Sequence, residues 1–195
     1  MPWISPLRLK LVPSKDSLSF ATLKNGETAL PLAPHPGAFG VQRKHHFHEG
    51  VDLYCPEGAP VHAVEDGQVV AVLPFTGVKA GMDWWEDTDA VLVEGATGVV
   101  VYGEISPAVQ SGARVKAGEI LGHVKRVLKV DKGRPMSMLH LELHAHGARV
   151  APEWPVNGEK PGTLLDPTLY LSNAVTLANA ATLAHASVRE DNGEE

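Results

Sequence analysis

The sequence predicts an all-β, antiparallel fold, and three observations predict it. Short runs rich in valine, leucine and isoleucine recur along most of the chain, each bounded by turn residues. Nineteen glycines and 15 prolines are spread through the 195 residues rather than clustered, as many tight turns require. A strict alternator, Leu139-His140-Leu141-Glu142-Leu143-His144, puts three leucines on one strand face and three polar side chains on the other. A chain this long, 44% hydrophobic, has room for one domain with a substantial core plus some decoration.

Residues 1–36 read as a short β extension and linker. Leu7–Val12 and Ser17–Ala21 alternate at period two, and Pro31, Pro34 and Pro36 form a stiff connector. Residues 37–171 read as the main domain. Its predicted strands are Val51–Tyr54, Pro60–Val64, Gly67–Leu73, Ala90–Glu94, Gly98–Tyr102, a turn-rich pair within Gly112–Gly122, and Leu139–His144. Asp66-Gly67 and Thr97-Gly98 are predicted hairpin turns. Residues 76–90 look like an inserted loop in which Trp84 and Trp85 either form a lid or cover the core edge. Residues 172–186, rich in alanine and leucine after Ser172 and Asn173, predict a helix, and the acidic tail is expected to be disordered.

Composition excludes several classes. The net charge is −6 and no basic stripe is present, so neither nucleic acid nor an anionic membrane surface is an expected partner. No stretch reaches membrane-spanning length. The single cysteine, Cys55, reads as a small buried hydrophobe. The first 20 residues lack the apolar segment and small-residue cleavage site of a signal peptide, so a cytoplasmic location is expected, with unconventional export or travel on a phage particle as alternatives.

The densest group of metal-ligand side chains is His45, His46, His48, Glu49 and Asp52. Two imidazoles and a carboxylate are natural zinc donors, and a catalytic zinc keeps one position open. Gly50 argues against a helix here, so His48 and Asp52 would meet through a turn entering a strand. On the strand that carries them, His140, Glu142 and His144 share a face that either lines a site or meets solvent.

Several blocks, in order, resemble the lysostaphin-type (LytM-like) zinc endopeptidases that cut peptidoglycan. They are Phe39-Gly40, His48-Glu49-Gly50-Val51-Asp52-Leu53, Pro56 through Ala63, and Asp66-Gly67-Gln68-Val69. Next come Val101 through Ser106, Gly112 through Gly122, Met138-Leu139-His140-Leu141-Glu142, and Asp166 through Leu171. The resemblance implies a duplicated-hybrid-motif architecture, an antiparallel sandwich or open barrel. It also implies zinc ligands at His48, Asp52 and His140, with Glu142 as the third ligand in an alternative register.

Two departures stand beside these matches. Glu104 and Met138 occupy the positions of that family's two accessory histidines. Two functions therefore stay open. One is a zinc hydrolase cutting peptide bonds of cell-wall type, with Glu104 as general base and His45, His46 or His144 standing in for a lost histidine. The other is a zinc-holding module without catalysis, acting on an unknown protein partner. Sugar-phosphotransferase, biotinyl and lipoyl carriers share the general architecture. This chain lacks the histidine of the first and the exposed hairpin lysine of the others.

Overall fold

The computed structural model describes residues 2–16, 26–131, 133–176 and 178–179. Its strands are β1 (Lys10–Ser14), β2 (Glu27–Pro31), β3 (Val51–Tyr54), β4 (Pro60–His62), β5 (Gly67–Thr76), β6 (Thr88–Gly95), β7 (Val99–Pro107), β8 (Arg114–Val115), β9 (Ile120–Val124), β10 (Met138–His144) and β11 (Leu164–Leu165). One helical turn, α1 (Thr168–Ser172), follows. The main sheet is antiparallel throughout, runs β11-β10-β7-β6-β5-β8, and does not close into a barrel. β3 pairs with Met138–Leu141 of β10 on the edge that β11 takes further along, and β9 pairs with both β4 and the far end of β7. The mostly-β, antiparallel expectation therefore holds. No helix among the described residues is long and apolar enough to cross a membrane.

Alternation sorts the strands onto two faces. Val91 and Val93 of β6, Val100 and Tyr102 of β7, and Leu139, Leu141 and Leu143 of β10 enter the main core. Ala90, Leu92, Val99 and Val101 point the other way into a smaller cluster with Ala148. Met138, His140, Glu142 and His144 lie on that second side of β10, buried rather than solvated. Cys55 is buried as expected, and its thiol is pushed up to about 12 by that burial.

Some boundaries differ from the sequence reading. β1 begins three residues after the predicted Leu7 start, and its partner is Glu27–Pro31 in a parallel pair. The predicted strand at Ser17–Ala21 lies outside the described residues. Trp3, Leu7, Leu11 and Leu30 belong to the main core, and Trp3 stacks on Tyr170 at 4.8 Å, so the first segment is sewn into the domain. Thr97-Gly98 does turn the β6–β7 hairpin, with the Gly95 amide donating to Gly98 O. Asp66-Gly67 does not turn a hairpin, because β4 pairs with β9 while β5 pairs with β6 and β8. Trp84 is 62% exposed, and neither it nor Trp85 joins a core cluster. The helix predicted at 172–186 does not start there: α1 ends at Ser172, residues 173–176 are not helical and Val175 forms a bridge with Ile4, while residues 177 and 180–186 and the tail after them lie outside the described residues.

Candidate metal centre

Strand register brings the site together. In the β3–β10 pair Asp52 stands directly opposite His140, and on the other side of β10 His140 stands opposite Gly103. Directly opposed residues hold their side chains about 5 Å apart, so Asp52 and His140 meet without any special loop. His48 arrives through the turn at Gly50. A Cβ there would sit 2.4 Å from Leu141 O and 2.9 Å from His140 Nε2, so only glycine lets this segment lie against β10. Gly50→Ala is expected to cost about 1–3 kcal/mol of overpacking. At about 2–4 °C per kcal/mol for a chain of this size, thermal melting would fall by roughly 2–12 °C. A variant melting like the parent would show that the turn has room to spare.

The donor atoms converge. His48 Nε2 lies 3.1 Å from Asp52 Oδ1 and 3.2 Å from His140 Nδ1, which is 3.0 Å from the same Asp52 oxygen. One ligand-type atom from each residue falls within 4.8 Å of the others, the only such cluster among the described residues. Each has an outer partner, as metal-binding side chains usually do. His48 Nδ1 faces Ala38 O at 3.0 Å; a carbonyl only accepts, so Nδ1 carries the proton and Nε2 is free to ligate. His140 Nε2 meets Glu142 Oε1 at 2.9 Å, and Glu142 Oε2 meets His144 Nε2 at 2.7 Å. Asp52 Oδ2 accepts from Arg43 at 2.5 Å. In the register question, His140 presents Nδ1 to the cluster while Glu142 stands behind it.

Without a metal, the buried charges of the cluster hold one another in place. Burial disfavours the charge on Asp52, yet its buried surroundings, above all the imidazole of His48, the Arg43 guanidinium and the hydrogen bond from His140, hold it well below the usual carboxylate range. Burial lowers His48 despite the opposing pull of Asp52, which favours the neutral ring that ligates. Burial also opposes a charge on His140, but the hydrogen bonds to Asp52 and Glu142 outweigh it and raise the ring well above its ordinary value. Glu142, in spite of its burial, is drawn down to about 2 by hydrogen bonds from His140 and His144.

Glu104 reaches the cluster through a β-bulge. Asp89 pairs with Ile105 and Val91 with Tyr102, so Gly103 and Glu104 together oppose Ala90. Tyr102 and Ile105 both enter the main core, which leaves the two bulged residues for the opposite side. Glu104 adopts φ 65°, a left-handed conformation that costs a non-glycine residue about 1 kcal/mol or more. Its carboxyl is buried, and Oε2 has no hydrogen-bond partner among the described residues. Burial and the charge of Asp52 push it up to about 8, against the opposing pull of His140 and Arg43. Gly103 leaves space for Phe75, whose ring packs 5.3 Å from that of His140 and walls the site.

The remaining sequence candidates are placed as follows. Met138 is 9% exposed on the His140 face of β10. His144 is tied at both nitrogens, to Glu142 and to Thr163 Oγ1 at 3.1 Å. His46 sits 3.9 Å from Glu49, and His45 is exposed; no described hydrogen bond links either to the cluster. Arg43 escaped the sequence reading. Its only sequence signal is position, a lone arginine just ahead of the histidine block.

The profile of peptidase family M23 matches residues 46–152. A DD-carboxypeptidase/endopeptidase of Neisseria meningitidis serogroup B, called Mpg, is 34% identical over 108 residues, which is 54% of this chain and 22% of that protein. Its Neisseria gonorrhoeae counterpart matches to the same extent. The matched region is thus about a fifth of the length of these relatives. Among solved structures, the lysostaphin catalytic domain from Staphylococcus simulans is 21% identical, with a TM-score of 0.44, over 69% of this chain and 86% of that one. The catalytic domain of a prophage-encoded M23 protein from Enterococcus faecalis is 24% identical, with a TM-score of 0.44, over 67% and 85% respectively.

Proposed function

The chain belongs to peptidase family M23, and on that premise we propose that it is a zinc-dependent peptidase acting on peptide bonds of cell-wall type. The observation that carries this reading is the convergence of His48, Asp52 and His140 beside a buried Glu104 whose Oε2 lacks a partner. Two imidazoles and a carboxylate, each with an outer hydrogen-bond partner, suit zinc, and an orphaned buried carboxylate oxygen suits a site that receives water and a cation.

In this reading His48, Asp52 and His140 would hold the metal, with Nε2, Oδ1 and Nδ1 the atoms that converge. Zinc, when bound, supplies Lewis acidity that polarises a carbonyl and acidifies water. Glu104 acts as the base: Oε2 accepts the proton of the attacking water and carries it toward the leaving amine. The bulge holds that carboxylate on the site face. Phe75 excludes bulk water from the His140 side. Met138 has no hydrogen to donate to a developing oxyanion, so the chain stabilises that charge less well than a histidine there would.

Met138 also supports a second reading, a non-catalytic zinc module that recognises a protein partner. The tethering of His144 favours it too, since both ring nitrogens are engaged elsewhere. The experiment that separates the two uses protein purified without a metal-binding tag, with zinc measured by mass spectrometry. Muropeptides and short glycine-rich peptides are then offered with and without a chelator. Cleavage that stops on chelation and returns with zinc is the expected result. A full zinc load with no cleavage would leave only the second reading.

A further inference from the structure

Resting on the metal centre just proposed, we infer that Arg43 is a positioning residue that forces Asp52 to ligate through one oxygen. Three consecutive carbonyls frame the outer side of the site. Pro36 O accepts from Arg43 Nη2 at 2.9 Å and from its Nε at 3.3 Å. Gly37 O accepts from the Asp52 amide at 2.8 Å. Ala38 O accepts from His48 Nδ1 at 3.0 Å. The short strip Pro36-Gly37-Ala38 thus fixes the outer side of two ligands and the arginine between them.

Space is tight there. A Cβ on Gly37 would lie 3.2 Å from both Asp52 Cβ and Tyr54 Cε2, so the strip lies flat on β3. The fork of Arg43 spans the gap, with Nη2 touching Pro36 O and Asp52 Oδ2 together. Its side chain is 30% exposed and that of Asp52 only 5%, so the pair sits where a charge-assisted hydrogen bond is strong. With Oδ2 held by the guanidinium, Oδ1 alone faces His48 and His140. The strip and Arg43 both precede residue 46, where the family match begins, so this brace belongs to a part of the chain outside that match.

Removing the brace frees the carboxylate to turn and offer both oxygens. The test uses the full chain with zinc(II) or cobalt(II) alone, comparing wild type, Arg43→Gln and Arg43→Lys. Zinc affinity is read by competition with a chromogenic chelator, and coordination number by the visible absorption of the cobalt form. Arg43→Gln is expected to weaken zinc about 10–100-fold, as loss of an outer-shell partner usually does. It should also dim the cobalt bands as four-coordination gives way to five. Arg43→Lys, which keeps the charge but not the planar fork, should fall between, and it carries the test should the glutamine variant not fold. Unchanged affinity with an unchanged spectrum overturns the inference. Tighter zinc binding overturns it as well, because the guanidinium would then act only as a like charge against the cation. A wild-type chain that takes up no zinc removes the metal centre itself and the inference with it, an outcome distinct from the other two.

Discussion

Asp52→Ala is expected to leave the chain without stoichiometric zinc and to lower the melting temperature even of the metal-free protein. The first effect follows from losing one of three donors. The second follows from what Asp52 balances: His48, His140 and Arg43 all approach its carboxylate within hydrogen-bond distance. Removing one partner of a buried pair costs about 3–5 kcal/mol, because the opposite charges stay behind uncompensated. At about 2–4 °C per kcal/mol for a chain of this size, the metal-free Tm should fall by roughly 6–20 °C. The pH dependence has a definite sign. The folded carboxyl is held well below its ordinary 3.8, so its contribution is full above that value and lost as pH falls toward the folded one. The gap between wild type and variant should therefore be wide at neutral pH and close in acid. Zinc content unchanged by the substitution would remove Asp52 from the ligand set. Loss of zinc with an unchanged metal-free Tm would show that the charges relax on their own.

How much of this was legible beforehand follows the range of the interactions. β3, β6 and β10 were readable because β-branched runs and strict alternation are local signals. β5 was readable only to Leu73, since Pro74 and the irregularity between Pro74 and Thr76 in its pairing with β6 break the period there. The Asp66-Gly67 error has the same origin: turn chemistry is local, but which strands pair is not, and here the neighbours in sequence are separated in space. His48 and Asp52 stood out as donor types, whereas their convergence with His140 depends on a register between strands almost 90 residues apart. Arg43 carries no periodic signal at all. Its placement comes from a loop folding back on the Pro36 carbonyl, a tertiary contact with no local signature.

Glu104 is the sharpest case, and its replacement is the second large effect to expect. By period-two alternation Glu104 should share the core face of Tyr102; only the extra residue of the bulge turns it toward His140. Glu104→Gln keeps the size and the bulge but removes the basic oxygen. With zinc retained, turnover should fall about 10²–10⁴-fold, the usual worth of a positioned general base. A metal-free measurement separates this from simple damage to the fold. The folded carboxyl, pushed up to about 8 first by burial and then by Asp52, binds its proton more tightly than the unfolded value of 4.5 allows. The stability it contributes is complete below 4.5 and is lost as pH rises toward 8. Glutamine cannot ionise, so the metal-free variant should melt near wild type in acid and above it at pH 8. A variant that melts higher, holds zinc and yet cleaves nothing identifies a group that destabilises the fold and serves the reaction. Full turnover in the same variant would take Glu104 out of the chemistry and leave its buried carboxyl as a cost without a catalytic return.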